Sequence, residues 1–235
     1  MNIKQVLMRD ELDNSYFALE RTYNTGLFRH EVINYYQEFG RMNLPWRQTA
    51  NPWKILLSEM LLRKTTAKQV ENVYQKLSQL NISELGKMKK IELERILYPL
   101  GIYRERARLL KDVSQRISST PDFRYSDERT LLALPGVGQY SANAVLCFAF
   151  NEPKPALDRN MIRVMERVFS IKSEKERPHT DKRLWKTAEM MVSIERPKEY
   201  NWGILDISAA VCRPNTPLCE NCPLMEICDY FEVIR

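Results

Sequence analysis

Residues 131–168 read LLALPGVGQYSANAVLCFAFNEPKPALDRNMIRVMERV, and this stretch decides the fold. A short apolar run ends at Pro135, and Gly136-Val137-Gly138 follows before a helical pattern begins at Gln139. Glycine permits a positive φ and the close approach of a ligand, and a helix start directs N–H groups and the positive end of the helix dipole forward. The pattern therefore indicates an anion site, although most glycine turns of this kind are only turns.

The second part of the stretch places a carboxylate at the start of another helix. Two prolines within 151–155 end the first helical pattern, and Asp158 directly precedes a pattern with one apolar face. Arg159, Arg163 and Arg167 lie on the opposite face of that second pattern. Asp158 is therefore either an N-cap, a position that aspartate favours, or a carboxylate that faces an anion-binding turn.

Composition argues against several classes of protein. Hydrophobic residues make up 44% of the 235 residues, which is enough for a core. No apolar run reaches the roughly 18 residues that a membrane span needs, and the start of the sequence lacks a signal peptide's apolar segment. We therefore expect a cytoplasmic protein, associated with the nucleoid if its source is prokaryotic. The net charge of +6 is compatible with nucleic acid binding, and the two histidines, His30 and His179, argue against a histidine triad or a zinc hydrolase.

Apolar spacing along the chain is helical, and strand-like alternation is absent, so we predict an all-α fold. No function is assigned to residues 1–27. The basic residues Arg104, Arg106, Arg108 and Lys111 are expected on a solvated face. Besides the two helices around Asp158, the predicted helices are His30–Phe39, Pro52–Leu77 with a break near Thr65, Ile82–Met88, Ile91–Leu97, Arg104–Ile117, and two at about 182–193 and 199–211.

Glu59 is the unusual residue of the predicted helix that begins at Pro52, because its helical neighbours Ile55, Leu56 and Leu62 are apolar. A carboxyl group removed from water has a raised pKa and can keep its proton near neutral pH. The alternative is an ordinary ion pair with Arg63, four residues later. The helix alone favours neither interpretation. The preceding turn contains Trp46, for which packing is the simplest explanation.

Four of the five cysteines, Cys212, Cys219, Cys222 and Cys228, follow one another in a proline-rich loop with the spacing C-x6-C-x2-C-x5-C. Clustered cysteines in a chain without a signal peptide indicate a metal rather than disulfides. Four thiolates suit either Zn²⁺ or a [4Fe–4S] cluster, and the spacing alone favours zinc because such zinc sites are more common. Cys147 lies apart from this loop and is expected to be a small core residue.

Together, LPGVG, the L-D-x-N that contains Asp158 and the cysteine loop resemble the helix-hairpin-helix (HhH-GPD) DNA glycosylases, specifically their endonuclease III-like branch. The resemblance covers residues 28–235 and implies two all-α lobes with double-stranded DNA between them. A six-helix barrel, 45–151, would carry the hairpin. The other lobe would combine 1–44, with an extension at 1–27, and 152–235. In that branch the loop 212–228 holds a [4Fe–4S] cluster, so the resemblance implies this cofactor and favours it over zinc.

The resemblance also implies a role for each site residue. Asp158 would stabilise the positive charge that develops on the sugar, and Glu59 would donate a proton to the departing base. Members with lyase activity carry a lysine at position 140, whereas this chain has Tyr140, which implies hydrolysis without strand cleavage. Arg63 and Lys64 would fill the space that the flipped base leaves or contact the opposing guanine. The implied DNA-binding residues are Gly136, Val137, Gly138, Gln139, Arg63, Lys64 and Trp46.

Two subfamilies match these motifs. Thymine glycosylases acting on G·T mispairs carry L-L-R-[RK]-T-T and a tyrosine at the position of Tyr140, as does this chain at Leu61–Thr66. Adenine glycosylases acting opposite oxidised guanine share Glu59, Asp158 and the cysteines, but usually carry serine at position 140. We therefore predict a monomeric glycosylase that removes thymine or uracil opposite guanine. The alternatives are an adenine glycosylase, an enzyme for another modified base, and a non-enzymatic DNA-binding module with a structural metal.

Overall fold

The computed structural model describes the backbone of residues 11–235 and the side chains of residues 24–235. The first ten residues of the predicted extension lie outside that range. Within residues 11–235 every regular element is a helix, which confirms the all-α class. The helices are α1 (Glu11–Phe39), α2 (Pro52–Leu61), α3 (Ala67–Leu77), α4 (Ile82–Lys87), α5 (Lys90–Leu97), α6 (Tyr103–Ser119), α7 (Glu128–Leu132), α8 (Gln139–Phe150), α9 (Arg159–Phe169), α10 (Lys182–Met191), α11 (Pro197–Ala210) and α12 (Asp229–Ile234).

The predicted helices are confirmed, with one difference in length. α1 begins at Glu11 rather than near His30. The residues before His30 are helical but show no apolar periodicity, so the sequence pattern did not indicate this part of the helix. The predicted break near Thr65 separates α2 from α3. There the Thr66 side chain accepts from the Gln69 N–H while the Gln69 side chain accepts from the Thr66 N–H, a capping box that starts α3.

The described chain divides into two compact units. The hairpin unit contains Arg41–Asp158 and the short segment Ile194–Lys198. The cysteine unit contains Arg159–Ser193, Glu199–Arg235 and the described residues up to Gly40. The first unit therefore carries the hairpin, Glu59 and Asp158, and the second carries the four clustered cysteines.

The hairpin unit is built on the contact between α2 and α8. Leucines on α2, among them Leu56, Leu57 and Leu61, are fully buried. On α8 several of the fully buried residues are small, among them Ala142, Ala144 and Cys147. Small side chains allow the two helices to pack closely, which brings Glu59 of α2 beside the first turn of α8. Cys147 is the small core residue that the sequence predicts.

Arg106 holds the end of α2, contrary to its expected place on a solvated face. Its guanidinium donates to the carbonyl oxygens of Met60 at 3.0 Å and Leu61 at 3.2 Å, and also to that of Arg63. Carbonyl groups in the last turn of a helix have no helical partner, so a buried guanidinium satisfies them. Lys111 caps α4 in the same manner through the carbonyls of Gly86 and Met88.

The cysteine unit joins segments that are far apart in sequence. α11 crosses α1 so closely at Gly203 that an added Cβ would lie 2.3 Å from the Val32 carbonyl oxygen. The Phe28 ring packs edge-on against Phe169, with ring centroids 5.1 Å apart. Arg29 donates to the carbonyls of Met190 and Met191 at the end of α10. In the described part of the chain, the helices are all too short or too polar to cross a membrane.

Candidate active site and cysteine site

The LPGVG hairpin is a tight turn that ends at the first residue of α8. Gly136 adopts a φ of +71°, and the Val137 N–H donates to the Leu134 carbonyl at 3.2 Å, which closes the turn. Gly138 is extended and forms the N-cap of α8. The N–H groups of a helix's first turn have no helical acceptor, so this end of α8 can bind an anion. The Val137 N–H is already used by the turn.

Glycine occupies positions 136 and 138 of the hairpin for different structural reasons. A Cβ on Gly136 would meet the Leu109 Cδ2 at 3.1 Å, in a backbone conformation that side chains rarely adopt. A Cβ on Gly138 would meet nothing within 4 Å. The fold therefore requires glycine at 136 but not at 138. The bare backbone at Gly138 leaves room for a ligand to approach.

Glu59 is a buried carboxyl group, with 6% of its surface exposed. Burial raises its pKa from 4.5 to about 7, against the opposing effect of a hydrogen bond from Tyr140. The negative charge of Asp158 raises the pKa further, whereas Arg63 and Arg47 lower it. The surroundings of Glu59 therefore support a desolvated acid that keeps its proton near neutral pH, rather than an ordinary ion pair with Arg63.

Arg63 directs its guanidinium toward the hairpin. Nη2 donates to the Gly136 carbonyl at 2.5 Å and lies 3.5 Å from the Ser141 hydroxyl. Arg63 therefore ties the end of the Glu59 helix to the hairpin, while its positive charge still acts on Glu59. Lys64 differs from it, since its side chain is exposed and its backbone is left-handed, with a φ of +53°.

Tyr140 lies in the first turn of α8 and donates its hydroxyl hydrogen to the Glu59 carboxyl group. Burial raises the Tyr140 pKa well above its usual value, and the charges of Glu59 and Asp158 raise it further. The phenol therefore stays neutral and acts as a hydrogen-bond donor. It has no amine with which to form a Schiff base.

Asp158 ends the segment 151–158, which has no regular secondary structure, and directly precedes α9. Its charge acts on both Glu59 and Tyr140. The hairpin unit thus brings together two carboxyl groups and a phenol at the start of α8. This is a proton donor beside a second carboxylate, an arrangement suited to breaking a glycosidic bond.

Arg47 belongs to the same group, and the sequence analysis did not identify it. Its positive charge lowers the pKa of both Glu59 and Tyr140. Arg47 is the last residue of the turn Pro45–Arg47, whose Trp46 is buried edge-on against Tyr74 with ring centroids 5.4 Å apart. The sequence around Arg47 gives no local sign of this role. Trp46 packs inside the hairpin unit, as its simplest explanation expects, and its implied DNA contact stays a prediction.

The four clustered cysteines line one cavity in the cysteine unit. Its other walls are mostly apolar. Burial raises the pKa of the Cys222 thiol to about 12 and also raises those of Cys219 and Cys228. Among the side chains described, no three cysteine, histidine, aspartate or glutamate residues converge closely enough to hold a single metal ion.

Two arginines of α9 hold the start of the cysteine loop. Arg163 donates to the carbonyls of Ser208 and Cys212, at 3.0 and 2.9 Å. Arg167 donates to the carbonyls of Arg213 and Pro214, both at 2.7 Å, and lies 3.4 Å from the Cys212 Sγ. The arginine face of α9 therefore has partners inside the cysteine unit.

Comparison with known proteins gives consistent matches. The model of a family described as HhH-GPD superfamily base excision DNA repair protein matches residues 57–190. A thymine-DNA glycosylase of Aeropyrum pernix is 42% identical over 208 residues, which are 86% of this chain and 93% of that protein. A thymine/uracil-DNA glycosylase of Pyrobaculum aerophilum is 43% identical over 211 residues, 87% of this chain and 92% of that protein.

Similarity extends to a more distant enzyme and to a solved structure. An adenine DNA glycosylase of Buchnera aphidicola is 32% identical over 209 residues, which are 87% of this chain but 58% of that protein. The solved structure of a thermostable thymine-DNA glycosylase superposes with a TM-score of 0.82 at 30% identity, covering 91% of this chain and 99% of that one.

Proposed function

We propose that this chain, which belongs to the HhH-GPD superfamily of base excision DNA repair proteins, removes thymine or uracil opposite guanine and leaves an abasic site. The observation that carries the proposal is the group formed by buried Glu59 with half-buried Tyr140 and Asp158. A DNA-binding module would have no use for a carboxyl group whose pKa is about 7 beside a second carboxylate. Membership of a family of base excision DNA repair proteins supports DNA as the partner.

Glu59 supplies the proton in this reaction. Its carboxylic acid protonates the departing base as the bond between N1 and the sugar C1′ breaks, and the bonding electron pair leaves with the base. The acid must be protonated to act, so excision should slow as the pH rises through about 7, the pKa of Glu59. Tyr140 holds the Glu59 carboxyl group in place through its hydrogen bond.

Asp158 acts on the sugar. Its negative charge stabilises the positive charge that develops at C1′, and its oxygens orient the water that attacks this carbon. Water supplies the new C1′–O bond, and its proton passes to the carboxylate or to solvent. Because Tyr140 offers no amine, no covalent intermediate with the sugar forms, and the phosphate backbone stays intact.

The relatives support the choice of base. The thymine/uracil-DNA glycosylase of Pyrobaculum aerophilum and the thymine-DNA glycosylase of Aeropyrum pernix share over 40% of their residues with this chain across most of its length. A mispaired base is also easier to flip from the duplex than a paired one, by a few kcal/mol. Arg63 and exposed Lys64, which follow the Glu59 helix, are the residues that would fill the vacated space or contact the opposing guanine.

Base release from end-labelled duplexes tests this proposal. Duplexes with G·T or G·U should be cut only after alkali treatment, whereas A·T and G·C duplexes stay intact, and borohydride should trap no protein–DNA adduct. Asp158→Asn and Glu59→Gln should abolish excision and retain DNA affinity. Adenine release opposite oxidised guanine, with G·T untouched, would instead identify an adenine glycosylase. Borohydride trapping would refute hydrolysis without lyase activity.

The cysteine site supports a second part of the proposal, that Cys212, Cys219, Cys222 and Cys228 hold a [4Fe–4S] cluster. When bound, the cluster would join the four cysteines and so hold the loop 212–228 in one conformation, which would supply stability. Purified protein should be yellow-brown and contain about four irons per chain. Cys222→Ala should lose the colour and lower the melting temperature. A colourless protein with one zinc per chain would refute this assignment. Gel filtration should give a monomer.

A further inference from the structure

The segment 151–158 carries Asp158, yet no helix or strand holds it. Backbone hydrogen bonds of the segment are local or lead back to α8. The backbone N–H of Asp158 donates to the Ala156 carbonyl at 2.9 Å, and the backbone N–H of Glu152 donates to the Leu146 carbonyl at 3.2 Å. A segment of this kind needs side-chain contacts to fix the carboxylate that it delivers.

Asn143 provides the first of these contacts. It is fully buried on α8, among apolar neighbours, and its Nδ2 donates to the Pro155 carbonyl at 2.9 Å. Its Oδ1 accepts a hydrogen bond from Gln139 Nε2 at 2.9 Å. A buried amide with both ends satisfied fixes its partners firmly, because neither end can be left without a partner at low cost.

Gln139 and Glu128 extend this contact into a closed circuit. Gln139 Nε2 donates its other hydrogen to Glu128 Oε1 at 2.5 Å. Glu128 Oε2 in turn lies 3.0 Å from Lys154 Nζ. The circuit therefore leaves the segment at Pro155 and returns to it at the adjacent residue, Lys154. Gln139, an implied DNA contact, uses its side-chain amide inside the protein.

We propose that Asn143 is a positioning residue for base excision. Through the circuit with Gln139, Glu128 and Lys154, it fixes the segment so that the Asp158 carboxylate faces Glu59 and Tyr140. This inference rests on the proposed roles of Asp158 and Glu59. Asn143 does not touch the substrate, and it acts only through the carboxylate three residues beyond its Pro155 contact.

Single-turnover excision from a G·T duplex tests the inference. Asn143→Ala should slow the chemical step by about tenfold to a hundredfold, the effect of a small misplacement of a catalytic group, while affinity for the duplex stays unchanged. Glu128→Ala, at the half-buried end of the circuit, should fold normally and slow the step by about threefold to tenfold. The matched control is Ser114→Ala. Ser114 is equally buried and bonded to the Leu110 carbonyl of its own helix.

The pH profile separates positioning from general loss of stability. The charge of Asp158 raises the pKa of Glu59, so a displaced Asp158 should move the alkaline limb of the rate profile to lower pH in Asn143→Ala but not in Ser114→Ala. Unchanged rates in Asn143→Ala and Glu128→Ala, or a slow Asn143→Ala with an unmoved limb, would overturn the inference.

Amide hydrogen exchange tests whether Asn143 holds the segment 151–158, and this measurement does not depend on enzymatic activity. Exchange at residues 156–158 should rise in Asn143→Ala and Glu128→Ala and stay at the wild-type level in Ser114→Ala. If the wild-type protein excised no base, the proposed function would fail, and exchange would still show whether Asn143 holds the segment. Unchanged exchange in both variants would exclude the tether.

Discussion

Glu59 shows at the scale of one residue how function can oppose stability. Its pKa in the folded protein, about 7, lies above the ordinary 4.5, so folding favours the protonated acid. The stability that the proton provides is complete below about pH 4.5 and is lost as the pH rises through 7. The loss amounts to about 3 kcal/mol at high pH, since the carboxyl group is buried and little screened.

Glu59→Gln should therefore stabilise the protein in alkaline solution while it removes activity. Glutamine keeps the size of the side chain but cannot ionise. Urea unfolding measures the free energy of unfolding at pH 5 and pH 8. The difference between the variant and the wild-type protein should rise by about 1–3 kcal/mol, in favour of the variant, from pH 5 to pH 8. An equal difference at both pH values would mean that Glu59 is ionised throughout the range.

The sequence indicated that Glu59 was unusual but could not decide how. An ion pair with Arg63 and a desolvated acid fit the helical spacing equally well. The decision depends on Gly136, whose carbonyl accepts the Arg63 guanidinium across 73 positions of sequence. Arg47 escaped notice for the same reason, because its relation to Glu59 exists only in the folded hairpin unit.

The hairpin gives a testable distinction at the scale of one element. Gly138→Ala should fold as the wild-type protein does, because its Cβ meets no atom within 4 Å and its φ is −105°. The same methyl group should obstruct a DNA phosphate and weaken binding to all duplexes alike, by about threefold to tenfold. Binding titrations with matched and mispaired duplexes measure this effect.

Gly136→Ala is the contrasting variant. A left-handed alanine with a close Leu109 contact should cost about 1–2 kcal/mol of folding stability. If Gly138→Ala bound every duplex normally, or lost only its base selectivity, the hairpin would not hold a phosphate.

Helices were predictable where apolar spacing or a first-turn proline marked them, as at Pro52. The ends of helices were less predictable where a residue of another element caps them. Arg106 and Lys111 fit a solvated basic face in sequence, yet they close the ends of α2 and α4. A guanidinium that satisfies helix carbonyls carries no local signal, because its partners lie more than twenty residues away.

At the scale of the molecule, two glycines in helices should respond oppositely to the same change. Gly26→Ala in α1 meets no atom within 4 Å and should stabilise the protein by about 0.5–1 kcal/mol. Gly203→Ala in α11 would place its Cβ 2.3 Å from the Val32 carbonyl oxygen and should cost about 1–3 kcal/mol. Thermal unfolding of both variants measures the difference. Equal shifts would contradict the close helix contact at Gly203.

The divided cysteine unit has a consequence for how a ribosome makes this protein. α1 leaves the ribosome before the other helices of the described chain, but the carbonyls that Arg29 binds lie 161 and 162 positions later. At ordinary translation rates of about 5–20 residues per second, α1 waits roughly ten to thirty seconds for those partners. Nearly all of the hairpin unit is synthesised in that interval. The helix that emerges first is thus among the last to pack, and its apolar face needs protection from aggregation until then.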